Sequence, residues 1–155
     1  MSPVNLSLPV AIGWYHAGFD YIEDIISFLD GKDVTWKDFG TFSTDSVDYP
    51  DFAHPVAYAV ENKKASFGIL ICGSANGVAI TANKHQNIRA AVCWEEEIAE
   101  LARKHNNANV ICVPARFVRE GLVEKMIEIF MHTDFEEVCH RIRVEKIACP
   151  ASQHA

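Results

Sequence analysis

Positive charge is scarce in this chain. Among 155 residues, 14 Lys and Arg stand against 21 Asp and Glu, for a formal charge of −7. Such a surface cannot neutralise a phosphate backbone, so non-specific nucleic-acid binding is excluded. A few Arg still suffice for a local site that takes a small anion. Paired cysteines are missing too. Cys72, Cys93, Cys112, Cys139 and Cys149 are odd in number and form no CxxC. A disulfide framework is thereby excluded, and reduced core thiols in a cytoplasmic protein are expected. No two His or Cys show metal-ligand spacing, and His16, His85 and His105 are scattered. The opening "MSPVNLSLPVAIGWYH" has neither a basic start nor a long apolar stretch, so no signal peptide and no membrane span are expected. The Gly-Lys-Ser/Thr of a P-loop, the GxGxxG spacing and the GxSxG elbow are all absent. No repeat, linker or low-complexity tract divides the chain, which reads as one domain over residues 1–155.

What remains is regular. Five short apolar runs recur: "LPVAIG" (8–13), "DVTWKDF" (33–39), "FGILIC" (67–72), "IRAAVC" (88–93) and "NVICVP" (109–114). Three are nearly continuous in apolar residues, as strands buried on both faces should be. Segments of helical period lie between them. "FDYIEDIISFLDG" puts Tyr21, Ile22, Ile25, Ile26 and Leu29 on one face, with Gly31 as its stop. "DFAHPVAYAVEN" follows Pro50, a good first helical residue. "WEEEIAELARKHN" has acids in its first turn and bases in its last, as the helix dipole favours. "REGLVEKMIEIFMH" is amphipathic. Strands alternating with helices predict an α/β fold, a parallel sheet covered on both faces. The tail from about 135 to 155 starts as a sixth helix without a strand partner. It is expected to pack on a neighbouring subunit or over the sheet edge.

In such a sheet, ligands sit beyond the carboxyl ends of the strands. The third run ends on Cys72 and opens into Gly73-Ser74-Ala75-Asn76-Gly77. A small-residue loop entering a helix presents backbone N–H groups that can hold a phosphate or an oxyanion. Cys72 then has two readings: a small apolar residue closing a strand, or a thiol near a helix start that moves a proton. His16 after the first run is either a hydrogen-bonded structural residue or a catalytic one. His105 ends a helix, where it suits the dipole, and Asn106 or Asn107 terminates that helix. Arg116, Arg141 and Arg143 form an anion site or simply solvate a face.

Taken together, "HAGF" (16–19), "DFGTFSTDSVDYPDFA" (38–53), "GILICGSANGVAITANKHQNIRAAVCW" (68–94), "LARKHNNANVICVPAR" (101–116) and "RVEKI" (143–147) resemble the type B ribose-5-phosphate isomerases. Their group also holds the galactose-6-phosphate isomerase subunits. The blocks keep the family's order from about residue 10 to 148. The resemblance implies a Rossmann-like three-layer α/β/α sandwich with a five-stranded parallel sheet. It implies a homodimer or tetramer whose active site is shared between subunits, and aldose–ketose isomerisation of a sugar phosphate without metal or organic cofactor. Cys72 matches the base that moves a proton between C1 and C2. Ser74, with the backbone of Gly73 to Gly77 and with Asn76, matches the enediolate cradle. His105 matches the residue that opens the furanose ring, and Asn106 its neighbour on the substrate. His16, Tyr49, Arg116 and Arg143 match positions around the sugar and its phosphate.

Two positions depart from the family pattern. Tyr15 stands where the family has Asp, and Glu137-Val138-Cys139-His140 replaces Gly-Gly-Arg-His. Tyr15 and His140 are therefore further candidates, as is Arg141, a cation near the lost one. A missing charge-assisted phosphate contact costs about 1.5–3 kcal/mol, roughly a tenfold to hundredfold loss of binding unless Arg141 reaches. These departures keep two alternatives: an isomerase of allose or galactose 6-phosphate, and a non-catalytic paralogue that binds a sugar phosphate.

Overall fold

The computed structural model describes residues 4–15, 19–40, 47–119 and 121–149. His16 and the last residues of the tail lie outside them. Five strands alternate with helices: β1 (Val10–Trp14), α1 (Phe19–Gly31), β2 (Trp36–Asp38), α2 (Pro50–Glu61), β3 (Gly68–Cys72), α3 (Asn76–Ala82), β4 (Ala90–Val92), α4 (Glu96–Asn106), β5 (Val110–Pro114), α5 (Leu122–His132) and α6 (Glu137–Glu145). All strand pairs are parallel, in the order β2-β1-β3-β5-β4.

Alternation along the strands builds two cores. Val10, Ile12, Ile69, Ile71, Ile111 and Val113 face α1, α4 and α5. Ala11, Leu70, Val110 and Cys112 face α2 and α3. Both faces of the central strands are thus apolar, which is why those runs read as continuous rather than alternating. The result is the expected three-layer α/β/α sandwich.

Local signals placed the helices well. In α1, Ile22, Ile25 and Leu29 are buried. Its left-handed turn falls at Asp33 (φ 56°), two residues after the expected stop at Gly31. There the Val34 N–H donates back to the Leu29 carbonyl at 3.0 Å, and Asp is one of the few residues that tolerate that conformation. Pro50 opens α2 as expected. Asn107 (φ 46°) ends α4 in the left-handed region.

The edge strands are short. β2 and β4 have three residues each against five in β1, β3 and β5. At the carboxyl rim, Trp14 Nε1 donates to both Asp38 oxygens (3.0 and 3.1 Å), and the Gly40 N–H donates to Asp38 Oδ1 at 2.6 Å. A Cβ on Gly40 would fall inside the Trp14 indole, so only glycine lets the chain leave β2 past that ring.

Candidate active site

The chain leaves β1 in one direction to form β2 and then returns to form β3 on the other side. This reversal makes β1 and β3 the switch point of the sheet, where a crevice opens beyond the strand ends. Tyr15 follows β1 there, and Cys72 ends β3.

Cys72 is half-buried and packs against the cluster under α2 and α3. The loop after it is pinned to β5: Ala115 N–H donates to the Cys72 carbonyl (2.9 Å) and Arg116 N–H to the Gly73 carbonyl (3.1 Å). The Arg116 side chain lies across Gly73, so that a Cβ there would sit 3.2 Å from Arg116 Nε. Glycine here lets a guanidinium lie on the backbone beside the thiol. Ala75 takes a left-handed conformation (φ 61°) that turns the loop into α3. Asn76 N–H reaches Ser74 Oγ at 3.4 Å, and both side chains are exposed. The first N–H groups of a helix lack intrahelical acceptors, so the start of α3 adds donors to the rim. Tyr49 closes the far side, with its ring so near Gly77 that a Cβ would meet it at 2.6 Å. Tyr15 stacks on Phe52 at 6.5 Å and 17°, filling the wall beside this loop.

A second group forms elsewhere. His105 is in the last turn of α4, and its ring stacks on His140 of α6 at 4.2 Å and 26°. Arg143 Nη1 lies 3.5 Å from His140 Nδ1 and donates to the Cys139 carbonyl at 3.1 Å. Glu136 joins His105 and His140, their ligand atoms lying within 4.8 Å of one another. Two arginines hold this helix end. Buried Arg103 donates to Asn107 Oδ1 (3.0 Å), to the Ala108 carbonyl and to the Thr133 carbonyl (3.3 Å). Burial, reinforced by the nearby Arg89, pushes its pKa down to about 10. Arg89 Nε donates to the Asn107 carbonyl at 2.8 Å, and burial lowers its pKa as well.

The two groups occupy opposite ends of the sheet. Cys72 pairs with Pro114 at the carboxyl end of β5, whereas α4 ends just before β5 begins at Val110. Five residues of parallel strand, about 13 Å, lie between them. Cys72, Gly73, Ser74, Asn76, Gly77, Tyr49, Tyr15 and Arg116 are therefore together at one end. His105, Asn106, His140 and Arg143 are together at the other. Arg141 is in neither group's contacts: it pairs with Glu137 (3.2 Å) and Glu145 (2.8 Å) along α6. Asn106 also lines a cleft of about 460 Å³ with Arg89, Ala108, Ile147 and Cys149, away from the thiol.

The other cysteines are differently placed. Burial pushes the Cys93 thiol up to about 12 and Cys112 well above its ordinary value. None of the five cysteines forms a disulfide. Sequence reasoning missed Glu136, although Glu136 and His140 stand four residues apart, a spacing that puts them on one helical face. Arg89 and Arg103 carried no sequence signal, because long-range burial alone defines their role. No helix among the described residues is long and apolar enough to cross a membrane.

The sequence model of the ribose/galactose isomerases matches residues 10–147. Ribose-5-phosphate isomerase B of Escherichia coli (strain K12) is 38% identical over 138 residues, covering 89% of this chain and 93% of that protein. Among solved structures, a ribose 5-phosphate isomerase from Thermotoga maritima superposes with a TM-score of 0.87 at 40% identity, covering 91% of this chain and 97% of that one. Ribose-5-phosphate isomerase B from Mycoplasma genitalium, solved with bound ribulose-5-phosphate, gives a TM-score of 0.86 at 38% identity over 92% and 95% of the two chains.

Proposed function

This chain belongs to the ribose/galactose isomerase family, and from that premise we propose that it interconverts ribose 5-phosphate and ribulose 5-phosphate, with Cys72 as the base. The observation that carries this is a half-buried thiol at the switch point, followed by an N–H-rich loop on which Arg116 lies. In the open-chain aldose, the Cys72 thiolate removes the proton from C2. The carbonyl oxygen at C1 becomes an enediolate oxygen and takes the hydroxyl proton of O2; the proton held on Cys72 then goes to C1 as the C2–O bond becomes the carbonyl of the ketose. Isomerisation needs a base of suitable pKa and preorganised donors for the developing anion. Ser74 and the backbone from Gly73 to Gly77 supply those donors, and Arg116 adds a cation. Tyr49 and Asn76 border the sugar.

Ring opening falls to His105, with Asn106 and Arg143 binding the substrate beside it. Because these residues lie one strand length from Cys72, the working site takes His105, Asn106 and Arg143 from a second copy of the chain. The exposed apolar side chains of α6 support such an assembly: Val138 is 100% exposed, Ile142 69% and Ile147, just beyond, 49%. Five cysteines without a disulfide fit a reducing, cytoplasmic setting.

A second reading keeps the chemistry and changes the sugar. Tyr15 puts an aromatic ring at the wall of the crevice, and Cys139 removes a cation from α6, so the pocket accommodates allose or galactose 6-phosphate instead. Turnover assays with ribose, allose and galactose 6-phosphates, alongside Cys72→Ala, decide between them. Cys72-dependent turnover of ribose 5-phosphate is expected. Turnover of a hexose phosphate alone would replace the first reading with the second, and silence on all three would leave a binding role.

A further inference from the structure

His105, His140 and Glu136 form the densest set of metal-ligating side chains among the described residues, with ligand atoms all within 4.8 Å of one another. Two imidazoles and one carboxylate are a donor set that suits zinc and its neighbours in the first transition row. A tetrahedral ion bound at about 2.0–2.1 Å needs its ligands roughly 3.4 Å apart, so the set is slightly open. Closing it takes up to about 1.4 Å. The two imidazoles, now stacked at 4.2 Å and 26°, must turn about their side-chain torsions so that both ring planes meet at the ion, while the exposed Glu136 carboxylate rotates in. The backbone is already fixed: the Glu136 N–H donates to the Lys104 carbonyl at 2.9 Å, tying the start of α6 to the end of α4 at the cluster. Half-burial of both imidazoles limits competition from water. Arg143, 3.5 Å from His140 Nδ1, opposes a cation there. That contact is too long for a strong hydrogen bond, and the exposed guanidinium turns away when an ion enters.

We propose that His105, His140 and Glu136 bind one divalent transition-metal ion of the zinc type per chain, and that the bound ion inhibits turnover by taking the imidazole of His105. The inhibitory half rests on the role given to His105 above; the binding half does not. An ion on the His105 ring nitrogen removes the lone pair that would exchange a proton with the sugar ring oxygen. This metal takes no part in the reaction.

The test is calorimetric titration of the metal-free, full-length protein with Zn²⁺ and, separately, with Co²⁺ read by visible absorption, in parallel with isomerase assays. One ion per chain and the absorption of a tetrahedral nitrogen/oxygen Co²⁺ site are expected. Glu136→Gln should weaken binding about tenfold, and His140→Ala should weaken it further. His54→Ala, which removes a rival imidazole 2.9 Å from His85, should change nothing. Zn²⁺ should inhibit the wild-type enzyme reversibly, with activity restored by a chelator. Glu136→Gln should keep its activity and need about tenfold more Zn²⁺. No saturable binding, binding unchanged in both cluster variants, or binding lost with His54→Ala would each overturn the site. Binding at the cluster without inhibition would overturn the inhibitory half. If the metal-free protein turns over no sugar phosphate, the isomerase reading fails and the inhibitory half falls with it, while the titrations still decide the site.

Discussion

Two inactive variants should rescue each other. Cys72→Ala removes the proposed base at the carboxyl end of β3, and His105→Ala removes the group proposed to open the ring, at the far end of the sheet, about 13 Å of strand away. Each homodimer should keep about a hundredth to a ten-thousandth of wild-type turnover, the usual worth of one acid–base group. In a randomly reassociated equimolar mixture, half of the dimers carry one chain of each kind. In such a dimer one site receives both substitutions and the other receives neither. About one quarter of wild-type activity should therefore return, at least 25-fold above the background set by either variant. The assay is turnover of ribose 5-phosphate before and after joint unfolding and refolding, with differently tagged chains to count mixed dimers. Background activity in a sample that demonstrably contains mixed dimers would refute the shared site. It would mean that each chain completes its own site by bringing the two groups together, against the separation described above.

Native alkylation with iodoacetamide should modify Cys72 and abolish turnover while sparing Cys93 and Cys112, whose thiols burial holds protonated; labelling of the last two without unfolding, seen by peptide mass spectrometry, would contradict that burial. Gly77→Val should push the Tyr49 ring out of place, because even a Cβ meets it at 2.6 Å. Tyr49 is exposed enough to swing away, so a raised KM with a thermal shift of only a few degrees is expected, and an unchanged KM would remove Tyr49 from the site. Arg103→Met leaves the Asn107, Ala108 and Thr133 acceptors without their donor; a loss of about 1–3 kcal/mol, a Tm fall of several degrees, should show by calorimetry, and an unshifted Tm would refute it. The hydrogen bond from His85 holds the Glu61 carboxyl below its ordinary value. A depressed acid stabilises the fold above its unfolded pKa, near 4.5, and loses that contribution as pH falls through the folded value. The stability gap between wild type and Glu61→Gln should accordingly narrow below about pH 4.5 in denaturant titrations; a gap independent of pH would exclude the pair as its source.

Much of the frame was legible because its causes are local. The continuous apolar run ending at Cys72 predicted a strand buried on both faces, and β3 is one. "FDYIEDIISFLDG" marked α1 to the residue. The runs at 33–39 and 88–93 shrink to Trp36–Asp38 and Ala90–Val92: an edge strand has one partner, and each pairing begins where that partner begins, at Val10 and Val110, and ends two residues before β1 and β5 do. The loop after Cys72 was singled out in the sequence by its small residues, but Arg116 lying across Gly73 was not legible, since β5 brings it there from far along the chain. The stacking of His105 on His140 was equally hidden, because it depends on how α6 docks on α4. Arg141 was singled out by charge alone, and its two carboxylate neighbours on α6 engage it.

The brevity of β2 and β4 reaches beyond the single chain. An edge of three residues offers too short a ladder of free N–H and C=O groups for another copy to extend the sheet. Any association between copies must then be encoded in side chains rather than in a shared backbone ladder. A backbone ladder is nearly blind to sequence, whereas a side-chain contact is specific to it. Duplicate genes for such a chain can diverge into partners that prefer each other to themselves through a few substitutions at positions such as Val138, Ile142 and Ile147, leaving the sheet and the Cys72 loop untouched. Mixed assemblies with unlike half-sites are thus within short evolutionary reach of this fold.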